Sequence, residues 1–366
     1  MKILLPFILA LFVLTGCTTT NYSVQEFDPK KNGSLKKDQL KTEKIISKSE
    51  HLKNKIEIEN HTLAILFPSY TIGKYALEAT NSISTYLINK NKKFMLNTYD
   101  VVVLNKENVL KAIKKIQQDK VTKVIAMITK NELQYLSEID NIGNIQFYLP
   151  LINKYDVDNV EQLKGLNLVF GAISYKEQFK KLIDFSNHKP LVEFYGNSGI
   201  GKALHGYLKN EKVIYTKKID DNNGRYKSFL ENNRKLNNSA VLLNTPIVKS
   251  SILLSAITAQ DLNIASILST QLNYTPLVFS LTQKHDRNKL VIASSIGKIP
   301  NELEEYNKLI GNNLSYSWVN YSTIIGAEYL TNKNIDIFKD LSLVENQIVF
   351  PVHLYRVGKS SFKLIK

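Results

Sequence analysis

Short apolar runs and segments with helical spacing alternate along most of this chain, and this alternation constrains the fold more than any other feature. TLAILFP (62–68) and SAVLLNT (239–245) have the length of buried strands, whereas 72–90 and 247–260 carry apolar residues at helical spacing. Parallel strands need a crossover connection, which is usually a helix. The order of elements therefore predicts an α/β protein with parallel sheets that helices cover on both faces.

The alternation occurs in two successive sets, which predicts two lobes in a chain of 366 residues. In the first set, strands are predicted at 62–68, 94–101, 121–129, 145–150 and 167–174, and helices at 72–90, 105–118 and 131–139. In the second set, helices are predicted at 175–186, 200–210, 225–236 and 247–260, and strands at 191–196, 212–219, 239–245, 265–274 and 289–296. A helix at 323–332 and strands at 346–352 and 353–365 complete the pattern.

The N-terminus has the pattern of an export signal. Lys2 precedes an apolar run (3–14) that is shorter than the about 20 residues of a transmembrane helix but suits a signal peptide. Leu14-Thr15-Gly16-Cys17 follows, and Cys17 is the single cysteine of the chain. This sequence resembles the lipobox of bacterial lipoproteins, which implies cleavage after residue 16 and lipid attachment to Cys17. The alternative is an N-terminal anchor helix with an incidental cysteine.

Lipidation would place the mature protein in the bacterial cell envelope, facing the periplasm. Two or more acyl chains anchor a protein stably, so the first predicted partner is a membrane. Thr18, rather than Asp, follows Cys17 and is compatible with the outer membrane, which we favour over the inner one. Residues 17–60 are rich in lysine and predict a tether with a short helix near 36–49, which could contact anionic headgroups.

The net charge is +15, and four of the 48 basic residues are arginines. Arginine is the residue favoured for bidentate phosphate recognition, and an exported protein does not meet nucleic acid, so no nucleic-acid partner is predicted. Two interpretations of the lysines remain open. They reflect either the composition of an AT-rich genome or an anionic surface partner.

GNSGIGKA (196–203) matches seven of the eight positions of a phosphate-binding loop between a strand and a helix. Ala203 stands where that loop needs a hydroxyl for Mg²⁺, and no apolar run ending in Asp is available to hold the metal. We interpret the stretch as a tight strand-to-helix turn that requires glycine. The alternative is a helix N-terminus that meets an anion.

The sequence gives no sign of catalysis. The six histidines are scattered without metal-ligand spacing, and no nucleophile elbow of the G-x-S-x-G type occurs. The acidic cluster Glu302, Glu304 and Glu305 is typical of a solvated helix face. We therefore predict a protein that is not an enzyme and has no metal or cofactor.

Several stretches resemble type I periplasmic binding proteins. They are Ala64–Pro68 with Gly73, Asn197-Ser198 with Gly201, SAVLLNTPIVKSSILLSAI, and TIIGAEYL (323–330). The resemblance spans roughly 61–352 and implies two Rossmann-like lobes with parallel sheets. It implies an N-terminal lobe from 61–175 and 297–352, a C-terminal lobe from 176–296, and a C-terminal strand at 353–366.

Such a fold implies a cleft between the lobes, lined by residues at the carboxyl ends of strands. The candidate ligand contacts are Ser69, Tyr70, Thr71, Thr129, Asn131, Ser174, Tyr175, Asn197, Ser198, Asn244 and Thr245. Asn244 stands where an amino-acid receptor would want an acid, which argues against an amino-acid ligand.

Two functions follow from the resemblance. The first is a non-enzymatic envelope scaffold or regulator that binds a protein partner, similar to lipoproteins that activate penicillin-binding proteins. The alternative is a substrate-binding lipoprotein of an ABC importer for an amino acid or another small polar ligand. The sequence identifies neither the partner nor the ligand.

Overall fold

The computed structural model describes residues 61–91, 93–139, 142–220 and 226–366. The predicted signal peptide, the tether with its short helix, and Cys17 lie outside these residues. The described residues belong to one compact unit that contains both sheets and all four apolar cores. In the described residues, no helix is both long and apolar enough to cross a membrane.

The first part of the chain alternates strand and helix as predicted. Its elements are β1 (His61–Phe67), α1 (Ser69–Asn89), β2 (Phe94–Asp100), α2 (Lys106–Gln118), β3 (Lys123–Ala126), α3 (Leu133–Ser137), β4 (Gln146–Leu149) and β5 (Asn167–Phe170). Helix α2 illustrates how the local sequence specifies a helix. The Asn105 side chain caps its first turn, and Val109, Ile113 and Ile116 form its buried face at helical spacing.

The second part continues the alternation. Its elements are α4 (Tyr175–Phe185), β6 (Leu191–Gly196), α5 (Gly199–Tyr207), β7 (Val213–Ile219), α6 (Lys227–Leu230), β8 (Ala240–Asn244), α7 (Ile247–Ala259), β9 (Ser266–Ser269), α8 (Leu277–Leu281) and β10 (Leu290–Ser294). The predicted helix at 225–236 was wrong in extent, because Glu231 is already extended, with a ψ of 131°, and Asn232 then adopts a left-handed φ of 58°. The predicted strand at 265–274 stops at Ser269, and a helical turn at 271–273 follows.

The remaining elements are α9 (Asn301–Leu309), α10 (Trp318–Asn332), β11 (Ser342–Val344), β12 (Gln347–Val349), β13 (His353–Val357) and β14 (Phe362–Leu364). The predicted C-terminal strand is thus a hairpin, since the chain turns between Gly358 and Ser361. The sequence analysis missed α8 and β11 and described α9 only as an acidic helix face.

The strands form two seven-stranded sheets, in the orders β11-β12-β5-β4-β3-β1-β2 and β14-β13-β10-β9-β8-β6-β7. Within the described residues, the antiparallel pairs are β11–β12, β10–β13 and β13–β14. This arrangement confirms the predicted α/β class with two lobes. We call 61–175 and 297–352 the first lobe. We call 176–296 and 353–366 the second lobe, because the C-terminal hairpin pairs with β10.

The chain passes between the sheets after β5, after β10 and after β12. All three passages start at the carboxyl ends of parallel strands. The first passage leads directly into the first turn of α4. The carboxyl ends of the two sheets therefore face each other, and their amino ends lie at opposite poles.

An apolar core covers each face of each sheet. In the first lobe, the fully buried Tyr148 ring fits between two glycines. A Cβ atom at Gly171 or Gly326 would lie 2.2 or 2.3 Å from that ring. Glycine is required at both positions because the ring and the backbone approach so closely.

Candidate functional site

The predicted ligand contacts lie at the strand ends that face the other lobe. Residues 69–71 begin α1, Thr129 and Asn131 follow β3, 174–175 begin α4, 197–198 precede α5, and 244–245 end β8. The topology thus brings all eleven residues to the facing edges of the two sheets. Whether they contact a ligand remains a prediction.

At the start of α1, the backbone donors already have partners. The N–H of Ser69 donates to Oδ1 of Asp100 at 3.0 Å, and the N–H of Tyr70 donates to the carbonyl of Val102 at 3.0 Å. Asp100, the last residue of β2, also accepts from the N–H of Val102 at 2.7 Å. A carboxylate of the protein therefore occupies the helix N-terminus where an anionic ligand would bind.

In the loop after β3, a backbone donor is likewise bonded to a carboxylate of the protein. The N–H of Thr129 donates to Oε2 of Glu132 at 3.1 Å, and the Thr129 hydroxyl donates to the same oxygen. Asn131 is exposed and lines a pocket of about 190 Å³ between α3 and the segment 157–163. At each of these two strand ends of the first lobe, an acidic side chain thus accepts a hydrogen bond from the backbone.

The two candidate serines that precede α4 and α5 cap these helices. The Ser174 hydroxyl accepts from the N–H of Glu177 at 3.1 Å, and the Ser198 hydroxyl accepts from the N–H of Gly201 at 3.3 Å. A Cβ atom at Gly201 would lie 2.5 Å from the carbonyl oxygen of Gly196. This close contact supports the interpretation of GNSGIGKA as a tight turn that requires glycine.

Asn244 is fully buried and bonds to a carboxylate that the sequence analysis missed. Its Nδ2 donates to Oε1 of Glu193 at 2.8 Å, and Glu193 is 1% exposed. The other oxygen of Glu193 lies 2.7 Å from Nδ1 of His205, whose ring stacks on Tyr195 at 4.2 Å. The only sequence signal for this cluster is a glutamate inside the apolar strand LVEFYG, at a position that faces a histidine-bearing helix.

Buried polar side chains also lie at the carboxyl ends of β8 and β9. Nδ2 of Asn273 donates to the carbonyl of Thr245 and lies 3.0 Å from the Ser250 hydroxyl and 2.8 Å from the Ser269 hydroxyl. The Thr245 and Ser250 hydroxyls lie 2.8 Å apart. Thr245 is therefore part of an internal network, and it is 0% exposed.

Direct contacts join the lobes beside the cleft. The Tyr207 hydroxyl on α5 donates to Oδ2 of Asp156 in the first lobe at 2.6 Å. Burial, and then the bond to this carboxylate, raise the pKa of Tyr207 above its ordinary value. Tyr175, the first residue of α4, packs against an apolar core of each lobe. Among the described residues, no group of three His, Cys, Asp or Glu side chains could hold a metal ion.

Two lobes with facing carboxyl ends and three connecting segments define the fold of type I periplasmic binding proteins, and solved structures confirm this resemblance. A putative branched-chain amino acid ABC transporter protein from Rhodospirillum rubrum is 12% identical, with a TM-score of 0.61, and the match covers 84% of this chain and 100% of that chain. LivJ from Streptococcus pneumoniae, solved with isoleucine, is 8% identical, with a TM-score of 0.57, and the match covers 84% and 100%.

Haemophilus influenzae LpoA is 10% identical, with a TM-score of 0.56, and the match covers 83% of this chain and 58% of LpoA. No protein-family model and no curated protein matches the chain. At these identities the likeness shows the fold alone. It includes transport-type binding proteins as well as LpoA, so the fold is compatible with both functions expected from the sequence.

Proposed function

We propose that this protein is a non-enzymatic lipoprotein of the bacterial cell envelope that acts as a scaffold or regulator by binding another envelope protein. One observation carries the proposal. At two cleft-facing strand ends of the first lobe, the N–H groups of Ser69 and Thr129 are bonded to the protein's own carboxylates, Asp100 and Glu132. A receptor for amino acids needs such donors free to bind the ligand carboxylate.

Charge strengthens this argument. A ligand carboxylate beside the first turn of α1 would lie against Asp100, and like charges at such short range repel strongly. On the second lobe, the ligand ammonium would need an exposed acid. Glu193, the acid nearest Asn244, is buried and already bonds to Asn244 and His205.

The mouth of the cleft offers a surface that suits a protein. Tyr70 is 82% exposed, and the neighbouring Val102 and Val103 are 54% and 44% exposed. Exposed apolar side chains that cluster in this way are typical of protein-binding surfaces, and tyrosine is enriched among the residues that dominate binding energy. We place the partner's contact on this patch of the first lobe.

The alternative is a substrate-binding lipoprotein for a small polar ligand. Two buried polar atoms at the carboxyl end of β9, Oδ1 of Asn273 and Oγ1 of Thr270, have no hydrogen-bond partner among the described residues, and they support it because uncharged amides and hydroxyls suit a neutral ligand. The fold shared with transport proteins is equally compatible with this alternative.

The proposed anchor is a lipid on Cys17, and the proposed location is the outer membrane. Both rest on the sequence, from the lipobox-like residues 14–17 and from Thr18. Mass spectrometry of the mature N-terminus should find a lipidated Cys17, and Cys17→Ala should release the protein from the membrane fraction. An uncleaved N-terminus would contradict the proposed anchor.

Two experiments separate scaffold from receptor. Thermal unfolding of residues 49–366 should not respond to amino acids, short peptides or muropeptides. A ligand at about 100 times its Kd would add about 2.7 kcal/mol to the free energy of unfolding. Such a saturable shift would favour the receptor.

In cells, a photo-crosslinking residue in place of Tyr70 should capture one envelope protein. The same residue in place of Lys111, which is exposed on α2, is the matched control and should capture none. Equal capture from both positions would contradict the proposed contact surface.

A further inference from the structure

Positive charge is divided unevenly between the two lobes. The second lobe, 176–296 and 353–366, contains 21 Lys and Arg against nine Asp and Glu, whereas the first lobe, 61–175 and 297–352, contains 17 of each. All four arginines lie in the second lobe. A compositional bias of the genome would act on both lobes alike, so it does not explain this difference.

Ion pairs increase the contrast. In the first lobe, eight lysines lie within 4 Å of a carboxylate. In the second lobe, Lys209, Lys212, Lys284 and Lys359 have no such partner among the described residues. The positive charge of the second lobe is therefore less neutralised at its surface.

Much of this charge lies at one end of the second lobe, which we call the basic pole. It comprises the loops that precede β6 to β10, where the amino ends of parallel strands meet, and the tip of the β13–β14 hairpin. Its segments are 186–190, 208–212, 231–239, 260–265, 282–289 and 358–361. They contain nine Lys and Arg against four Asp and Glu, and one of the acids, Asp286, is buried.

A buried arginine holds this pole together. Arg287 is 4% exposed, and its guanidinium donates to the carbonyls of Gly358 at 3.2 Å and Lys359 at 2.7 Å, and to the carbonyl of Thr282. The hairpin tip is thus fixed to the loop before β10 by a cation. Lys359 therefore stands on the same surface as Lys284, at a fixed position.

We propose that the basic pole binds an anionic membrane surface. The exposed charges come mainly from lysines, which act as flexible point charges and suit a diffuse layer of headgroups better than one shaped anionic site. Clusters of this size are typical of surfaces that bind anionic lipids. Leu281, 42% exposed, directly precedes the loop that carries Lys284, and an exposed apolar side chain near a basic cluster favours interfacial contact.

The pole and the lipid anchor would act together, and this step rests on the proposed lipidation of Cys17. The 43 residues between Cys17 and His61 can span at most about 140 Å when extended, so the second lobe is not prevented from reaching a membrane. The anchor would raise the local concentration of the pole at the membrane surface. The pole would then fix the orientation of the two lobes.

The test uses residues 49–366, which lack the anchor, in flotation with vesicles. We expect binding to phosphatidylcholine vesicles that contain phosphatidylglycerol, no binding to phosphatidylcholine alone, and loss of binding in high salt. The variant Arg234→Glu, Lys284→Glu, Lys359→Glu should bind at least about 100-fold more weakly. All three residues are exposed, so the fold should be retained, and circular dichroism checks this.

The control reverses three exposed lysines of the first lobe, Lys111→Glu, Lys114→Glu and Lys339→Glu. It changes the net charge by the same amount and should keep most of the binding. Equal loss in both variants, or no binding to anionic vesicles in low salt, would overturn the proposal. Capture of an acidic protein without vesicle binding would also overturn it. Because the fragment lacks Cys17 and no envelope partner is present, failure here leaves the proposed scaffold function to its own tests.

Discussion

The two lobes share one pattern of strand and helix but differ in net charge and in the polar groups at their strand ends. The first lobe is neutral by residue count, pairs many of its lysines, and closes its cleft-facing loops with Asp100 and Glu132. The second lobe is strongly basic and buries uncharged polar side chains at its strand ends. The backbone pattern therefore fixes the fold, and polar side chains at strand ends decide what each lobe can bind.

Each lobe also buries a glutamate, and the two glutamates have different partners. In the first lobe, Glu328 accepts from the Tyr86 hydroxyl, and Lys90 lies 3.8 Å away. In the second lobe, Glu193 bonds to Asn244 and His205. A buried carboxylate is tolerated only when its oxygens have hydrogen-bond partners, and both sites meet that condition with different residues.

The largest expected effect tests the close packing around Tyr148 in the first lobe. Gly326→Ala would place a Cβ 2.3 Å from the fully buried Tyr148 ring, and the neighbours of this ring leave it no room to move. We expect the free energy of unfolding to fall by about 4 kcal/mol, measured by urea denaturation. The matched change in the second lobe is Gly206→Ala in α5, where nothing lies within 4 Å of the new Cβ.

Gly206→Ala should raise the free energy of unfolding by up to about 1 kcal/mol, because alanine favours the helix and restricts the unfolded chain. Similar losses from both alanine variants would show that the clash at Tyr148 is not the cause.

The next prediction compares the buried carboxylates. Glu193→Ala leaves the Asn244 amide and the His205 imidazole without their partner and should cost about 3 kcal/mol. Glu193→Gln keeps an acceptor for Asn244 and should cost less. A loss below about 1 kcal/mol for Glu193→Ala would mean that water replaces the carboxylate.

The dependence of stability on salt concentration gives a second comparison of the two buried glutamates. Glu193 is a negative charge in the basic lobe, whereas Glu328 lies in the neutral one. Replacing Glu193 by Gln should therefore cost more in low salt than in high salt. Glu328→Gln serves as the control and should show a smaller dependence on salt.

A smaller effect is expected at the helix caps of the second lobe. Ser198→Ala removes the acceptor for the N–H of Gly201 and should lower the free energy of unfolding by about 1 kcal/mol. Ser198→Asp keeps an acceptor and should retain most of the stability. If Ser198 instead served only a ligand, Ser198→Ala would leave the stability of the free protein unchanged.

Apolar periodicity predicted the fold because the strand cores and helix faces are continuous in sequence. The strands β1, β6 and β8 lie within one residue of their predicted bounds. Short elements such as α8 and β11 were missed, because five or three residues carry too little periodicity. The helix at 225–236 was overestimated, since the backbone conformations of Glu231 and Asn232 end it and apolar periodicity does not report them.

The positions of the candidate residues could be predicted from the sequence, but their hydrogen-bond partners could not. The rule that ligands bind at strand ends located Ser69, Thr129 and Asn244 correctly at the facing edges of the sheets. It could not show that their polar atoms, or the N–H groups beside them, bond to Asp100, Glu132 and Glu193. Asp100 and Glu193 are distant in sequence, and apolar periodicity carries no information on the hydrogen bonds of Glu132. Glu193 looked like an ordinary strand residue, and only the structure brings it to His205.

The smallest expected effect concerns alkaline pH in the first lobe. Burial, and then the bond to Asp119, raise the pKa of Tyr99 to about 12, and its hydroxyl lies 3.0 Å from Oδ2 of Asp119. In the unfolded chain the pKa is near 10. The folded protein therefore favours the neutral phenol, and this stabilisation is complete below pH 10 and disappears as the pH rises from 10 to 12.

Tyr99→Phe removes both the hydrogen bond and this titration. Urea denaturation should give a stability difference between the protein and the variant of about 1 kcal/mol that is constant below pH 10 and decreases above it. Asp119→Asn is the control, because it removes the carboxylate but keeps the burial that contributes most to the shift. The decrease should therefore begin near pH 10 in both proteins but end at a lower pH in Asp119→Asn than in the unchanged protein. A stability difference that stays constant to pH 12 would show that the pKa of Tyr99 is the same in the folded and the unfolded chain, so that this phenol contributes nothing to the loss of stability at alkaline pH.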